Sequence, residues 1–121
     1  MPVRSLNSSV LKWPDKSSVE KVLRHWVEKA KKDKPEVLGI GYFGSYSRND
    51  WGVGSDLDVI IILKSSSLPF LRRSVEWDTR EIPVPVDLLI YTEEEWQSLS
   101  NSRFYKVVMN EAVWIYKNDI S

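Results

Sequence analysis

Gly39-Ile40-Gly41-Tyr42-Phe43-Gly44-Ser45-Tyr46-Ser47-Arg48-Asn49-Asp50-Trp51-Gly52-Val53-Gly54-Ser55-Asp56-Leu57-Asp58 holds all five glycines of the 121-residue chain and ends on a pair of acids. Glycine serves where backbone bends tightly or approaches a neighbour closely. The apolar residues from Val37 to Gly44 read as a strand, Ser45 to Arg48 as a short helix, and Asn49 to Ser55 as a loop. Leu57 to Leu63 (Leu-Asp-Val-Ile-Ile-Ile-Leu) is the strongest strand signal in the chain. It is apolar on both faces, which predicts a central strand covered on both sides.

Outward from this stretch, Ser17 with Glu20 reads as a capping box. It opens a helix whose apolar face is Val19, Val22, Leu23, Trp26, Val27 and Ala30. That helix ends between Lys31 and Pro35. Residues 1–16 read as a lead-in arm, with a short strand or turn around Val10 to Trp13. Leu68 to Trp77 is ambiguous and is read as a short helix. Pro83 to Tyr91 reads as a second buried strand, its prolines at its start or beside an edge. Thr92 with Glu95 is another capping box, followed by helices over Glu93 to Leu99 and Arg103 to Asn110. Val113 to Tyr116 reads as a last strand. The order implies an α/β (α+β) fold, a small mixed sheet with helices packed on it. One domain over residues 1–121 is expected, with residues 37–116 as the core that carries the motif.

Composition sets bounds. Seventeen basic and seventeen acidic side chains cancel, so broad electrostatic attachment to nucleic acid or to an anionic membrane is not implied. Lys29, Lys31, Lys32 and Lys34 suit the solvated end of a helix. The absence of cysteine excludes disulfides and thiolate metal sites and fits a reducing cytoplasm. No apolar run reaches the ~20 residues of a membrane span, and the first residues lack a signal-peptide core. The lone His25 reads as a helix-surface or packing residue.

The chemistry rests on three acids and a turn. On a strand, residues i and i+2 share a face, so Asp56 and Asp58 project together. Asp87 lies inside the apolar run Val84 to Ile90, where an aspartate is costly unless it is paired or ligates a metal. A buried ion pair with Arg72, Arg73 or Arg80 would explain it as well. If the two strands are neighbours, three carboxylates converge, and an oxygen-only set favours magnesium or manganese. Gly44-Ser45, between a strand and a helix start, offers backbone N–H groups and a hydroxyl to a phosphate. Arg48 adds a guanidinium fork, and Asn49 suits a left-handed backbone. Together these are the parts of a metal-bound polyphosphate site suited to two-metal phosphoryl transfer, with Asp87 the candidate to activate the acceptor hydroxyl.

Gly44-Ser45, ten residues from Tyr46 to Ser55, then Asp56-Leu57-Asp58 and a later Asp87 in Val-Pro-Val-Asp-Leu-Leu-Ile-Tyr resembles the signature of the nucleotidyltransferase superfamily that includes DNA polymerase beta. The length and the segment Gly-Ser-Tyr-Ser-Arg…Ser-Asp-Leu-Asp look most like the minimal nucleotidyltransferases, small chains that accompany a helical HEPN partner as antitoxin and toxin. The resemblance spans Val37 to Tyr116. It implies two Mg²⁺ ions on Asp56 and Asp58, with Asp87 as third acid. ATP or another NTP is held by Gly44, Ser45 and Arg48, and a nucleotidyl group, AMP in the closest type, passes to a hydroxyl on the HEPN partner. Arg48-Asn49 departs from the Arg-Gly of many minimal members. The chain also lacks the extra acceptor domain of larger relatives, so the acceptor site must come from a second copy or a partner.

Two other readings stand beside this one. A non-catalytic antitoxin would neutralise its partner by complex formation. The six tryptophans suit it, with Trp51, Trp77 and Trp96 as the exposed candidates and Trp26 and Trp114 as core. An enzyme modifying a small molecule such as an aminoglycoside would need an acidic acceptor pocket. Glu93, Glu94 and Glu95 equally suit the first turn of a helix. A nucleic-acid acceptor is disfavoured, since nothing here would grip a template.

Overall fold

The computed structural model describes residues 13–118. Leu57–Leu63 forms β2, with Val59 to Ile62 fully buried. β1 (Val37–Phe43) runs antiparallel to it on one side. β3 (Val86–Thr92) runs parallel on the other side. β4 (Val113–Lys117) pairs antiparallel with the far edge of β1, so the order is β3-β2-β1-β4. This is the expected small mixed sheet with helices packed on it.

The two faces of β2 feed two cores, as its continuous apolar run requires. Leu57, Val59 and Ile61 join α1 (Lys16–Asp33), which contributes Val19, Leu23, Trp26, Val27 and Ala30. Ile60 and Ile62 join Trp96 of α3 (Glu93–Ser98) and Val108 of α4 (Arg103–Glu111), with Tyr91 and Phe104 packed around them. α2 (Ser45–Arg48) is a single turn after β1. A 3₁₀ helix over Phe70–Glu76 resolves the ambiguous stretch and packs on β3.

Several local expectations hold. The Thr92–Glu95 capping box is formed in both directions, and β2 and α2 have the expected bounds. Others need correction. The first helix starts two residues earlier than the Ser17 cap implied, because Asp15 takes the N-cap and accepts from the Ser18 N–H at 2.8 Å. Glu20 instead accepts from the Tyr42 hydroxyl. Most of the Val10 to Trp13 expectation lies outside the described residues. β3 begins at Val86, after both prolines, and is an edge strand of only partial burial. Asp87 is therefore exposed rather than buried, and burial does not force a partner on it. The three arginines considered for it are not its partners. Arg73 is buried and grips Glu95 with both terminal nitrogens, at 2.6 and 3.0 Å. Arg80 pairs with Asp78, and Arg72 is exposed. Trp96, expected at the surface, is fully buried, whereas Trp51, Trp77 and Trp114 are half-buried.

Candidate functional site at the head of the central strand

β1 and β2 are antiparallel, so the residue leaving β1 lies beside the residue entering β2. Phe43 pairs with Asp58, and Gly44 follows it directly. The chain turns there at φ 79° and ψ −150°, a region open essentially to glycine. A Cβ at Gly44 would come within 2.3 Å of Asp58 Oδ2. The turn thus reserves this position for glycine, and a side chain there would also push the Asp58 carboxylate aside.

The Gly44 carbonyl accepts from the Ser47 and Arg48 N–H groups, which closes the single turn of α2. Asn49 then takes the left-handed conformation expected of it, at φ 63° and ψ 27°. The Ser55 hydroxyl accepts from the Gly52 N–H at 2.8 Å and steadies the loop that returns to Asp56. Trp51 stacks on Tyr46 with ring centroids 5.7 Å apart.

β3 completes the group. Its parallel register sets Asp87 directly beside Asp58. Paired residues on parallel neighbours share a face, here the face of Ile60 and Ile62 over which α4 packs. Burial pushes the Asp58 carboxyl above its ordinary range, repulsion from Asp87 and then Asp56 adds to this, and Arg48 partly offsets it. Asp56, Asp58 and Asp87 thus sit in one electrostatic neighbourhood. They do not close into a cage: among the described residues, no group of three acidic or histidine side chains is tight enough to hold a metal ion. The oxygen-only donor set still fits a hard divalent cation, and the strain recorded at Asp58 is the kind such a cation relieves.

One residue of this region was missed by sequence reasoning. Glu111, the last residue of α4, sends Oε2 to the Gly44 N–H at 2.7 Å and to Arg48 Nη1 at 3.2 Å. Arg48 Nε is also held by Asp50 at 3.2 Å. The guanidinium expected to face a phosphate is therefore paired with two carboxylates. Nothing in local spacing marks Glu111, because only the pairing of β4 with β1 carries the end of α4 to this turn.

The larger concavities lie elsewhere. Cavities of about 350 Å³ and about 290 Å³ flank Trp77 near the far end of β2, lined by residues such as Lys34, Glu76 and Arg73 in one and Lys29, Asp33 and Glu81 in the other. Size alone does not decide a site. The carboxylates and the Gly44 turn are where titratable groups converge on backbone donors.

The same fold occurs in solved structures. One from Sulfolobus solfataricus, provisionally described as a nucleotidyltransferase, is 22% identical at a TM-score of 0.62, covering 84% of this chain and 83% of that one. A toxin-antitoxin structure with AMP-PNP is 17% identical at a TM-score of 0.56, covering 79% of this chain and 74% of that one. A mutant of the toxin-antitoxin MntA-HpeT is 16% identical at 0.55, with the same coverage. Identities this low establish the fold alone. Comparison with curated proteins gives no match. The family model for the nucleotidyltransferase domain matches residues 20–115, from the first helix to the last strand, and the chain belongs to that family.

Proposed function

We propose that this chain is a nucleotidyltransferase that uses a divalent cation, Mg²⁺ or Mn²⁺, to pass AMP from ATP to a hydroxyl on a partner toxin of the HEPN type, and so acts as an antitoxin. The observation that carries the reading is the alignment of Asp58 with Asp87 on adjacent strands, with Gly44 packed against Asp58. The toxin-antitoxin neighbours, one of them with AMP-PNP, support a nucleotide and a toxin partner. No described helix is long and apolar enough to cross a membrane.

In this reading Asp56 and Asp58 hold the cation, which supplies charge neutralisation at the triphosphate. Gly44, Ser45 and Arg48 take its terminal phosphates. The acceptor oxygen attacks the α-phosphorus, the bond to the β-phosphate oxygen breaks, and pyrophosphate leaves. Asp87, exposed beside Asp58, takes the proton lost by the acceptor hydroxyl. Its exposure suits that role, since a protein acceptor must reach it from outside.

The test is incubation with α-labelled ATP, Mg²⁺ and the toxin encoded next to this chain. Label should pass to the toxin, and D58A should reduce transfer by about 10²-fold or more. Absence of transfer from the unaltered chain overturns the catalytic reading.

A second reading, neutralisation by binding alone, is favoured by one feature. Leu71 and Val75 of the 3₁₀ helix stand 86% and 74% exposed, and large apolar side chains left at the surface suit a protein interface. If a chain with Asp56, Asp58 and Asp87 all replaced by Asn still silences the toxin, binding carries the function.

A further inference from the structure

The Gly44 turn offers two groups that attract anions, a backbone N–H and the Arg48 guanidinium. In the structure one oxygen takes both. Glu111 Oε2 lies 2.7 Å from the Gly44 nitrogen and 3.2 Å from Arg48 Nη1. Its side chain is only 16% exposed, whereas that of Arg48 is 50% exposed. Glu111 is also a fourth negative charge beside Asp56, Asp58 and Asp87, and its field reaches Asp58.

A carboxylate oxygen that accepts from a backbone N–H and an arginine takes the place a phosphate oxygen would take as acceptor. We propose that Glu111 is a gate on the nucleotide site: it occupies the Gly44 N–H and Arg48 as an internal anion, and the nucleotide's phosphate must displace it to bind. This rests on the reading above that Gly44 and Arg48 face the triphosphate.

The gate has a physical consequence beyond occupancy. While Glu111 is in place, the turn presents a like charge to an approaching polyphosphate, so weak anions are refused. A polyphosphate carrying a divalent cation brings its own positive charge to the four acids and offers several oxygens in exchange for one. The device therefore selects metal-bound triphosphate over free phosphate or monophosphate by repulsion of the wrong ligand as well as attraction of the right one.

The test compares the unaltered chain with E111Q and E111A by calorimetric titration with MgATP and, separately, with inorganic phosphate. Gln keeps the length and an oxygen for the Gly44 N–H but removes the charge, so it preserves the turn even if Ala loosens it. MgATP should bind E111Q about fivefold tighter than the unaltered chain, E111A should bind at least as tightly as E111Q, and phosphate should bind measurably only to the variants. A residue that merely braced the turn would give the opposite sign. If MgATP binds the unaltered chain and E111Q equally, or E111Q more weakly, the gate is overturned while the nucleotide site stands. If MgATP binds none of the three, the nucleotide reading falls and the gate falls with it.

Discussion

Asp58 is held in a place that disfavours its charge. Burial, Asp87 and Asp56 all raise its pKa, so the folded chain binds a proton there more tightly than the unfolded chain. Folding is therefore penalised as pH rises above the ordinary carboxylate value, the penalty is full above the raised folded-state value, and it disappears below the ordinary range. Without divalent cations at pH 7, D58N should therefore melt a few degrees above the unaltered chain, and the gap should close in acid. Millimolar Mg²⁺ should raise the melting temperature of the unaltered chain and leave D58N unmoved, because only a ligand of the native state stabilises it. Equal melting temperatures without metal, followed by thermal scanning, would refute this. The position of Asp58 was readable from period-two geometry in the strand, and the Gly44 turn from its place between a strand and a helix start; the approach of Gly44 to Asp58 was not, since it depends on the pairing of β1 with β2. Glu111 was not readable, because its role comes from a neighbour 67 positions away.

At the scale of elements, the β3–α3 junction is the best-specified piece of the chain. The Thr92 hydroxyl accepts from the Glu95 N–H, and Glu95 Oε1 accepts from the Thr92 N–H. The same Glu95 receives the buried Arg73 from the 3₁₀ helix. The Arg73 hydrogen bonds hold the Glu95 carboxyl down at about 2. A depressed folded-state pKa contributes stability that is full above the ordinary value near 4.5 and fades as pH falls toward about 2. E95Q should cost about 1–2 kcal/mol at pH 7, allowing for the exposed side of the carboxylate. That cost should shrink as pH falls from about 4.5 toward about 2 in thermal or urea melts; a pH-independent cost would contradict it. The capping box was legible as Thr-x-x-Glu. Its ion pair was not, since Arg73 could equally have met Asp87. The first helix shows the opposite failure: Asp15 displaced Ser17 as cap because both residue types serve, and a pattern of four residues cannot choose between them.

For the whole molecule, β2 is the wall between two cores. Ile60 faces the α3–α4 side and Ile61 the α1 side. I60V and I61V should each cost about 0.5–1.5 kcal/mol. Although the residues are adjacent in sequence, the double variant should equal the sum within about 0.5 kcal/mol, since they share no packing partners. Chemical denaturation checks this, and a larger interaction energy would mean that the cores are coupled through the sheet. The central place of β2 was legible from its unbroken apolar run. The edge position of β3 was not. Burial of both faces shows in hydrophobicity, but lateral order in a sheet depends on which neighbours pair, and the short apolar run Val84 to Ile90 does not encode that. The exposure of Asp87 follows from this edge position and could not be read before it.

Arg73 also gives Nη1 to the Ile90 carbonyl of β3, at 3.1 Å, and Nε to the Leu68 carbonyl at 2.9 Å. An outer strand with open backbone groups invites a foreign strand to zip onto it. Here a buried cation, locked by Glu95, sits on one of those groups, and the 3₁₀ helix that bears it lies against the strand. The chain thereby resists polymerising through β3 while leaving the Asp87 end of the same strand open to solvent. One ion pair separates the covered part of the edge from the part that stays open to solvent.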